Sequence, residues 1–151
     1  MSRKVLVPVD LSDHSREVLE GALSIAMGDD KIVVLYVVPD PSQFAGMVVP
    51  HGSTDKMREE LEVEAQARMK KFVDRYAPEA SFRVVFGKPS NEIVRISKEE
   101  KADIVVIGSH QTTGWMDTIF SSRIRKKVSQ QVSCTVEVVP LPFKTEEDTM
   151  E

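Results

Sequence analysis

Two strand-length segments, made almost entirely of apolar residues, constrain the fold of this chain most. They read KIVVLYVV at residues 31–38 and ADIVVIG at residues 102–108. A strand with one face in water alternates apolar and polar residues, whereas an uninterrupted apolar run is typical of a strand covered on both faces. Sheets of the second kind are built from parallel strands connected by helices. The two segments therefore predict an α/β domain around a parallel sheet.

The rest of the chain supplies further elements in alternating order. Shorter apolar strands are predicted at residues 5–9, 81–86 and 134–140, and helical spacing predicts helices after Ser12, over residues 54–77, from Pro89 and near residues 120–132. Ser12 is expected to cap the first helix. The pattern indicates a five-stranded parallel open sheet with helices on both faces. The buried stripe of the longest helix is expected to be Met57, Leu61, Ala65, Met69, Phe72 and Tyr76.

Length, charge and cysteine content limit the class of protein. The 151 residues fit one domain, predicted over residues 1–140, followed by an acidic tail at 141–151 that lacks apolar periodicity and is expected to be disordered. The net charge of −4 argues against binding nucleic acid through bulk charge. A single cysteine, Cys134, cannot form an internal disulfide, which favours the cytoplasm. We expect neither a signal peptide nor a membrane span.

A ligand site is expected where the order of the strands reverses. Ligands of open parallel sheets bind beyond the carboxyl ends of the strands at such a point. In the order 3-2-1-4-5 the reversal lies between the first and fourth strands, which run into Asp10 and Gly108. Asp10 offers a carboxylate to ribose hydroxyls, and Gly108 lets a phosphate approach the backbone closely. Free amides near Ser121 and Ser122, at the start of the last helix, would favour an anion.

Each of these residues also has a purely structural interpretation. Asp10 could turn or cap the chain after the first strand, and Ser121 and Ser122 could simply begin a helix. The basic run at residues 123–127 is typical of a solvated helix face, although Arg123 is close enough to the helix start to reach a phosphate. The histidines have no partners at metal-ligand spacing, so no metal site in the protein is predicted.

The sequence resembles the universal stress protein family over residues 3–140. The likeness rests on VLVPVDLSDHS, GKPSNEI, ADIVVIGSH and VSCTVEVV. The resemblance implies a Rossmann-like sheet ordered 3-2-1-4-5, a homodimer and a cytoplasmic role in stress survival. The family contains members that bind ATP and members that do not.

The loop after the fourth strand only half matches the motif of the ATP-binding members, G-x2-G-x9-G-S/T. Gly108 and Ser122 match its first and last positions, whereas Gln111 and Ser121 replace its two middle glycines. If the second position requires a positive φ, Gln111 there would cost about 1–3 kcal/mol. Its side chain could also obstruct a triphosphate.

The adenine and ribose side of the resemblance is better preserved. Asp10 matches the family's ribose-binding aspartate, and Val37 matches the residue whose backbone meets the adenine. Binding of ATP is therefore predicted, or of AMP given the crowded triphosphate side, with any magnesium held by the phosphates. The predicted nucleotide-binding residues are Pro8, Val9, Asp10, Val37, Gly108, His110, Gln111, Ser121, Ser122 and Arg123.

The last strand, TVEVV, would lie at an edge of the sheet, where an unprotected apolar strand invites pairing. Pairing with the same strand of a second copy would make Val136 and Val138 interface residues. The alternative is an edge blunted by Glu137 and covered by the tail.

Three functions compete. The first is a dimeric stress protein that binds an adenine nucleotide as a regulatory ligand; the second is a family member without nucleotide, acting as a dimeric module on an unknown protein partner. Catalysis has the least support, because the chain lacks a G-x4-G-K-S/T phosphate loop and a catalytic set of residues, which leaves at most slow ATP hydrolysis. The role of the proline-punctuated loop at residues 39–53 is open.

Overall fold

Strands and helices alternate along the chain in the computed structural model, which describes residues 2–38, 53–109 and 122–141. The elements are β1 (Lys4–Val9), α1 (Ser15–Ile25), β2 (Lys31–Val38), α2 (Ser53–Tyr76), β3 (Ser81–Phe86), α3 (Pro89–Glu99), β4 (Ile104–Gly108), α4 (Ser122–Gln131) and β5 (Thr135–Val139). The loop at residues 39–52 and most of the acidic tail lie outside the described residues. None of the described helices is long and apolar enough to cross a membrane.

The five strands form one parallel sheet in the order β3-β2-β1-β4-β5, which confirms the predicted architecture. The ladder between β1 and β2 runs the whole length of β1, from Lys4 to Val9. The ladder between β1 and β4 covers only two residue pairs, Val5 with Ile104 and Leu6 with Val105. The carboxyl-terminal halves of β1 and β4 are therefore unpaired with each other at the point where the strand order reverses.

Side chains on the two faces of the sheet enter two separate cores. Val5, Val7 and Val9 of β1 pack on the face covered by α1 and α2, and Leu6 packs on the face covered by α3 and α4. The last six residues of β2 are all buried, alternating between the two faces. The uninterrupted apolar run in β2 therefore reflects cover on both sides, as predicted.

Helix α2 is longer than the sheet it covers, and this corrects part of its predicted buried stripe. Its second half packs as expected, with Ala65 and Met69 buried, but Met57 is 37% exposed. Val63, which is not part of the predicted stripe, is 72% exposed. At about 1.5 Å per residue the helix spans about 36 Å, whereas β2 spans about 26 Å. Because α2 runs antiparallel to the strands, its first turns extend beyond their carboxyl ends, and Met57 is too far out to be buried.

Candidate functional site

Asp10 lies directly after β1 and is only 6% exposed. Its Oδ1 accepts hydrogen bonds from the Ser12 amide and the Ser15 hydroxyl, both at 2.9 Å. Its Oδ2 is buried and has no hydrogen-bond partner among the residues that the structure describes. One oxygen thus performs the structural task foreseen for this residue, a turn after the strand, while the other has no partner in the described part of the chain. Buried polar atoms without a partner are rare enough to require an explanation.

The same turn corrects the expectation that Ser12 caps the first helix. Helix α1 begins at Ser15, His14 occupies its N-cap position, and no side chain there makes a capping hydrogen bond. The Ser15 amide donates to the Ser12 carbonyl at 3.0 Å, so an additional turn separates the strand from the helix. The Ser15 amide, which a side-chain cap at Ser12 would use, therefore donates to the main chain of Ser12 and not to its hydroxyl. The Ser12 hydroxyl is buried and has no hydrogen-bond partner in the described part of the chain.

The residue between Asp10 and Ser12 has a strained backbone. Leu11 has a φ of 61°, in the left-handed region that non-glycine residues rarely adopt. Its side chain packs partly buried against the core beneath α1 and α2. Strained backbone of this kind is concentrated at binding and catalytic sites, where the surrounding structure maintains it.

The end of β4, the neighbour of β1 at the reversal, is fixed by β5. Gly108 is buried and lies in register with Val139, and the amide of Ser109 donates to the Val139 carbonyl at 2.8 Å. The Ser109 hydroxyl accepts from the Leu141 amide at 3.0 Å. Sequence reasoning missed Ser109, since only the strand pairing reveals its two partners. Ser109 thereby fixes the chain directly after Gly108, the first residue of the predicted phosphate motif.

The remaining residues predicted for the phosphate side are only partly accessible to description. His110, Gln111 and Ser121 lie outside the described residues. Ser122 is the first residue of α4 and Arg123 the second, in agreement with the predicted helix start, but their side chains are also outside the description.

On the side predicted to hold an adenine, the strand ends are buried and closely paired. Val37 is 1% exposed and packs on the face of α3 and α4. Pro8 and Val9 are buried and pair with Leu35 and Tyr36 of β2. Pro8, Val9, Asp10, Val37 and Gly108 thus lie at or next to the carboxyl ends of three adjacent strands, β2, β1 and β4.

The basic run of α4 is not simply a solvated face. Lys126 is exposed, but Lys127 is half-buried and donates to the Asn91 side-chain oxygen of α3 at 2.8 Å. Arg125 is also half-buried, and its Nε has no hydrogen-bond partner among the described residues. Part of this charge therefore contributes to the packing of α4 on α3.

A cavity of about 720 Å³ lies at the opposite edge of the sheet, among the ends of α1 and α2 and the amino ends of β2 and β3. Leu23, Ile32 and Tyr76 contribute to its lining, and none of the predicted nucleotide-binding residues does. Ligands of parallel sheets bind at the carboxyl edge, so this groove is not the candidate site. Within the described ranges, no group of three or more histidine, cysteine or acidic residues could hold a metal ion.

The edge strand β5 presents the side chains predicted for a subunit interface. Val138 is 42% exposed, whereas Val136 is partly buried against the core beneath α3 and α4. Glu137 is exposed between them. Among the described strands, β5 pairs only with β4, so its outer edge carries no strand.

Comparison with known proteins identifies a family. The model of the universal stress protein family matches residues 1–140. A universal stress protein of Methanocaldococcus jannaschii is 32% identical over 145 residues, which cover 94% of this chain and 84% of that protein.

Solved structures share the fold at lower identity. A second M. jannaschii protein superimposes with a TM-score of 0.74 at 22% identity, covering 93% of this chain and 96% of its own. A universal stress protein in complex with cAMP gives 0.62 at 19% identity, with 92% and 97% covered. One from Archaeoglobus fulgidus in complex with dAMP gives 0.57 at 17% identity, with 91% and 97% covered.

Proposed function

Since this chain belongs to the universal stress protein family, we propose that it binds an adenine nucleotide, AMP or ATP, as a regulatory ligand. The site is the carboxyl edge of the sheet between β1 and β4. Two proteins of the same fold have been solved with cAMP and with dAMP, which supports this class of ligand.

The observation that carries the proposal is the buried Oδ2 of Asp10, which has no hydrogen-bond partner within residues 2–38, 53–109 and 122–141. A buried polar atom without a partner costs about 1–3 kcal/mol, and more if it is charged. A sugar hydroxyl donating to Oδ2 would remove that cost. The hydrogen bonds to Oδ1 from Ser12 and Ser15 hold the carboxylate in place for it.

The relative affinity for AMP and ATP depends on the residues that would contact the phosphates. The short ladder between β1 and β4 leaves their carboxyl ends unpaired with each other. Gln111 and Ser121 stand in that loop where ATP-binding members carry glycine. A single phosphate makes fewer demands on these positions than three do, so we expect AMP to bind at least as tightly as ATP. Any magnesium would be held by the phosphates.

The proposal includes a cytoplasmic homodimer formed through β5. The outer edge of this strand, which no other described strand pairs with, and the exposed Val138 support pairing with a second copy. A single half-buried cysteine, Cys134, is compatible with a reducing compartment. A further protein partner would distinguish the nucleotide-bound dimer from the nucleotide-free dimer.

Calorimetric titration of the purified protein with AMP, and with ATP and magnesium, tests this function. We expect Asp10→Ala to weaken binding at least about tenfold, since it removes a charge-assisted hydrogen bond. Asp13→Ala is the matched control, because Asp13 is an exposed carboxylate in the same turn. Gln111→Gly should improve ATP binding more than AMP binding.

No heat and no thermal shift with either nucleotide, in the wild type and in Gln111→Gly, would exclude the proposal. The chain would then be a family member that acts through protein contacts alone.

A further inference from the structure

The groove at the amino edge of the sheet originates in the register between β2 and β3. Strand β2 begins at Lys31, whereas β3 begins at Ser81, which pairs with Val33 two residues further along β2. Lys31 and Ile32 therefore extend beyond the start of β3. The two connections that lead from α1 into β2 and from α2 into β3 line the resulting groove.

The groove has the size and the lining of a site for a small organic molecule. Its volume of about 720 Å³ lies within the range of about 300–1,000 Å³ that is typical of such sites. Ala77 is buried, and Ile32, Tyr76 and Ala80 are half-buried, so the more enclosed part of the lining is largely apolar. Leu23, 39% exposed, extends this apolar surface towards solvent.

The charged residues of the lining carry an excess of negative charge. Asp30 is paired with Arg3 at 2.8 Å and is therefore compensated. Asp29 and Glu79 are exposed, and in the described part of the chain neither carboxylate forms an ion pair or a side-chain hydrogen bond. Lys31, also exposed, can compensate only one of these two. One carboxylate is left over.

The helix ends at the groove favour the same sign of ligand charge. Both α1 and α2 reach it with their carboxyl ends, which carry the negative end of the helix dipole. Two cations lie nearby, Arg16 and Arg75, each 5.3 Å from the centre of the Tyr76 ring, but neither lines the groove and Arg16 is paired with Glu20. The lining itself is therefore complementary to a cation.

We propose that this groove is a second ligand site, which takes a small organic cation: an ammonium group attached to an apolar alkyl or aryl body. Ile32, Tyr76 and Ala80 would contact the body, and Asp29 and Glu79 would attract the ammonium. The site lies at the edge of the sheet opposite to Asp10 and Gly108. It goes beyond the proposed function and does not depend on nucleotide binding.

Titration of the isotope-labelled protein with simple probes, followed by NMR, tests the proposal. 2-Phenylethylammonium carries both the body and the charge, 2-phenylethanol replaces the charge by a neutral hydroxyl, 3-phenylpropionate reverses it, and ethylammonium lacks the ring. We expect the aryl ammonium to bind about three- to tenfold more tightly than the alcohol and at least about tenfold more tightly than the carboxylate. Ethylammonium should bind at least about tenfold more weakly, since it buries no ring.

The amide resonances that shift locate the bound probe. Saturable shifts are expected at Gly28, Lys31 and Ala80, which line the groove, and not at Asp10 or Gly108. Because the charges are exposed, 0.5 M salt should reduce the preference for the cation over the alcohol but leave the affinity for the alcohol unchanged or higher.

Three variants at exposed positions test the charges of the groove. Glu79→Lys should weaken binding of the aryl ammonium at least about threefold and strengthen binding of 3-phenylpropionate, whereas Lys31→Gln should strengthen binding of the aryl ammonium about two- to threefold. Glu60→Lys is the matched control, because Glu60 is an exposed carboxylate in the half of α2 that is remote from the groove. Its affinities should equal those of the wild type.

The contrary outcomes are equally specific. Equal affinity for the ammonium, the alcohol and the carboxylate would overturn the preference for a cation, as would a Glu79→Lys variant that binds the ammonium like the wild type. No saturable shift at the groove amides, or shifts confined to the carboxyl edge, would overturn the site. Shifts of the groove amides on dilution without a probe would mean that a second copy of the chain occupies it. Titration with AMP reports separately on the opposite edge, so either function can fail alone.

Discussion

Leu11 shows at the scale of one residue how much the β1–α1 turn demands of the chain. Its φ of 61° places a branched side chain where glycine is the residue without strain. The side chain is retained because it packs against the core beneath α1 and α2. Packing and backbone preference therefore oppose each other at this position.

Replacing Leu11 with alanine and with glycine separates the two effects. Both variants lose the packing of the side chain, but only glycine also relieves the left-handed strain. We expect Leu11→Gly to be more stable than Leu11→Ala by about 1 kcal/mol, measured by urea unfolding. The same pair at Leu23, an exposed position inside α1, should show the opposite order by about 1 kcal/mol. Glycine less stable than alanine at both positions would refute the strain.

Asp30, at the amino edge of the sheet, is a second residue whose side chain is expected to affect stability on its own. The Arg3 side chain, with Nη2 at 2.8 Å from Oδ2, and then the Met27 amide hold the pKa of Asp30 at about 2, below its ordinary value of 3.8. A carboxyl whose pKa is lowered by folding stabilises the protein above its unfolded-state pKa. That contribution is lost as the pH falls through the folded-state value.

Acid unfolding should reveal this contribution. Between about pH 4 and pH 2 the free energy of unfolding should fall more steeply in the wild type than in Asp30→Asn, which cannot titrate. Asp29→Asn changes an exposed neighbour and should leave the wild-type slope unchanged. Parallel curves for the wild type and Asp30→Asn would show that the ion pair contributes nothing in solution.

At the scale of elements, α1 lies unusually close to β5. A Cβ atom built on Gly21 would lie 2.7 Å from each of the two γ-methyl carbons of Val139. Real Cβ atoms do not approach carbon this closely, so glycine at this position allows the helix to pack directly on the strand. Here the absence of a side chain on glycine, and not its backbone freedom, is what matters.

A double-mutant cycle tests that contact. Alanine favours a helix over glycine by about 1 kcal/mol, yet Gly21→Ala should destabilise the protein by about 1–3 kcal/mol through overpacking. In a Val139→Ala background the same change should be neutral or stabilising. Urea unfolding of the four proteins gives the coupling energy, which we expect to exceed about 1 kcal/mol. Additive effects would mean that α1 moves away without cost.

Elements were easier to predict from the sequence than the hydrogen bonds within the site. The apolar run of β2 and the pattern that follows it determine the parallel sheet, because burial on both faces leaves no other arrangement. The cap at Ser12 and the burial of Met57 were predicted wrongly. The first depends on the acceptor that the Ser15 amide reaches in the folded turn, and the second on the length of α2 relative to the strands. Neither can be determined before the elements are packed together.

For the whole molecule, the outer edge of β5 is the surface on which the proposed assembly depends. Val138→Lys places a charge on this edge, which natural sheets use to prevent pairing. If the proposed homodimer forms through β5, the wild type should show twice the mass of the chain in light scattering, and Val138→Lys should show the mass of one chain. Val63→Lys, on the exposed first half of α2, is the control and should remain dimeric. A monomeric wild type would contradict the proposed dimer.

The contact between Gly21 and Val139 also joins two distant parts of the molecule. Helix α1 begins at Ser15, beside Asp10, and reaches Gly21 six residues later, a rise of about 9 Å. If a helix segment of that length moves as one body, a shift of β5 would be transmitted through Gly21 to the turn at the amino end of α1. If both the ligand and a second subunit bind as proposed, occupancy of one site would bias the other, and the bias must be equal in both directions.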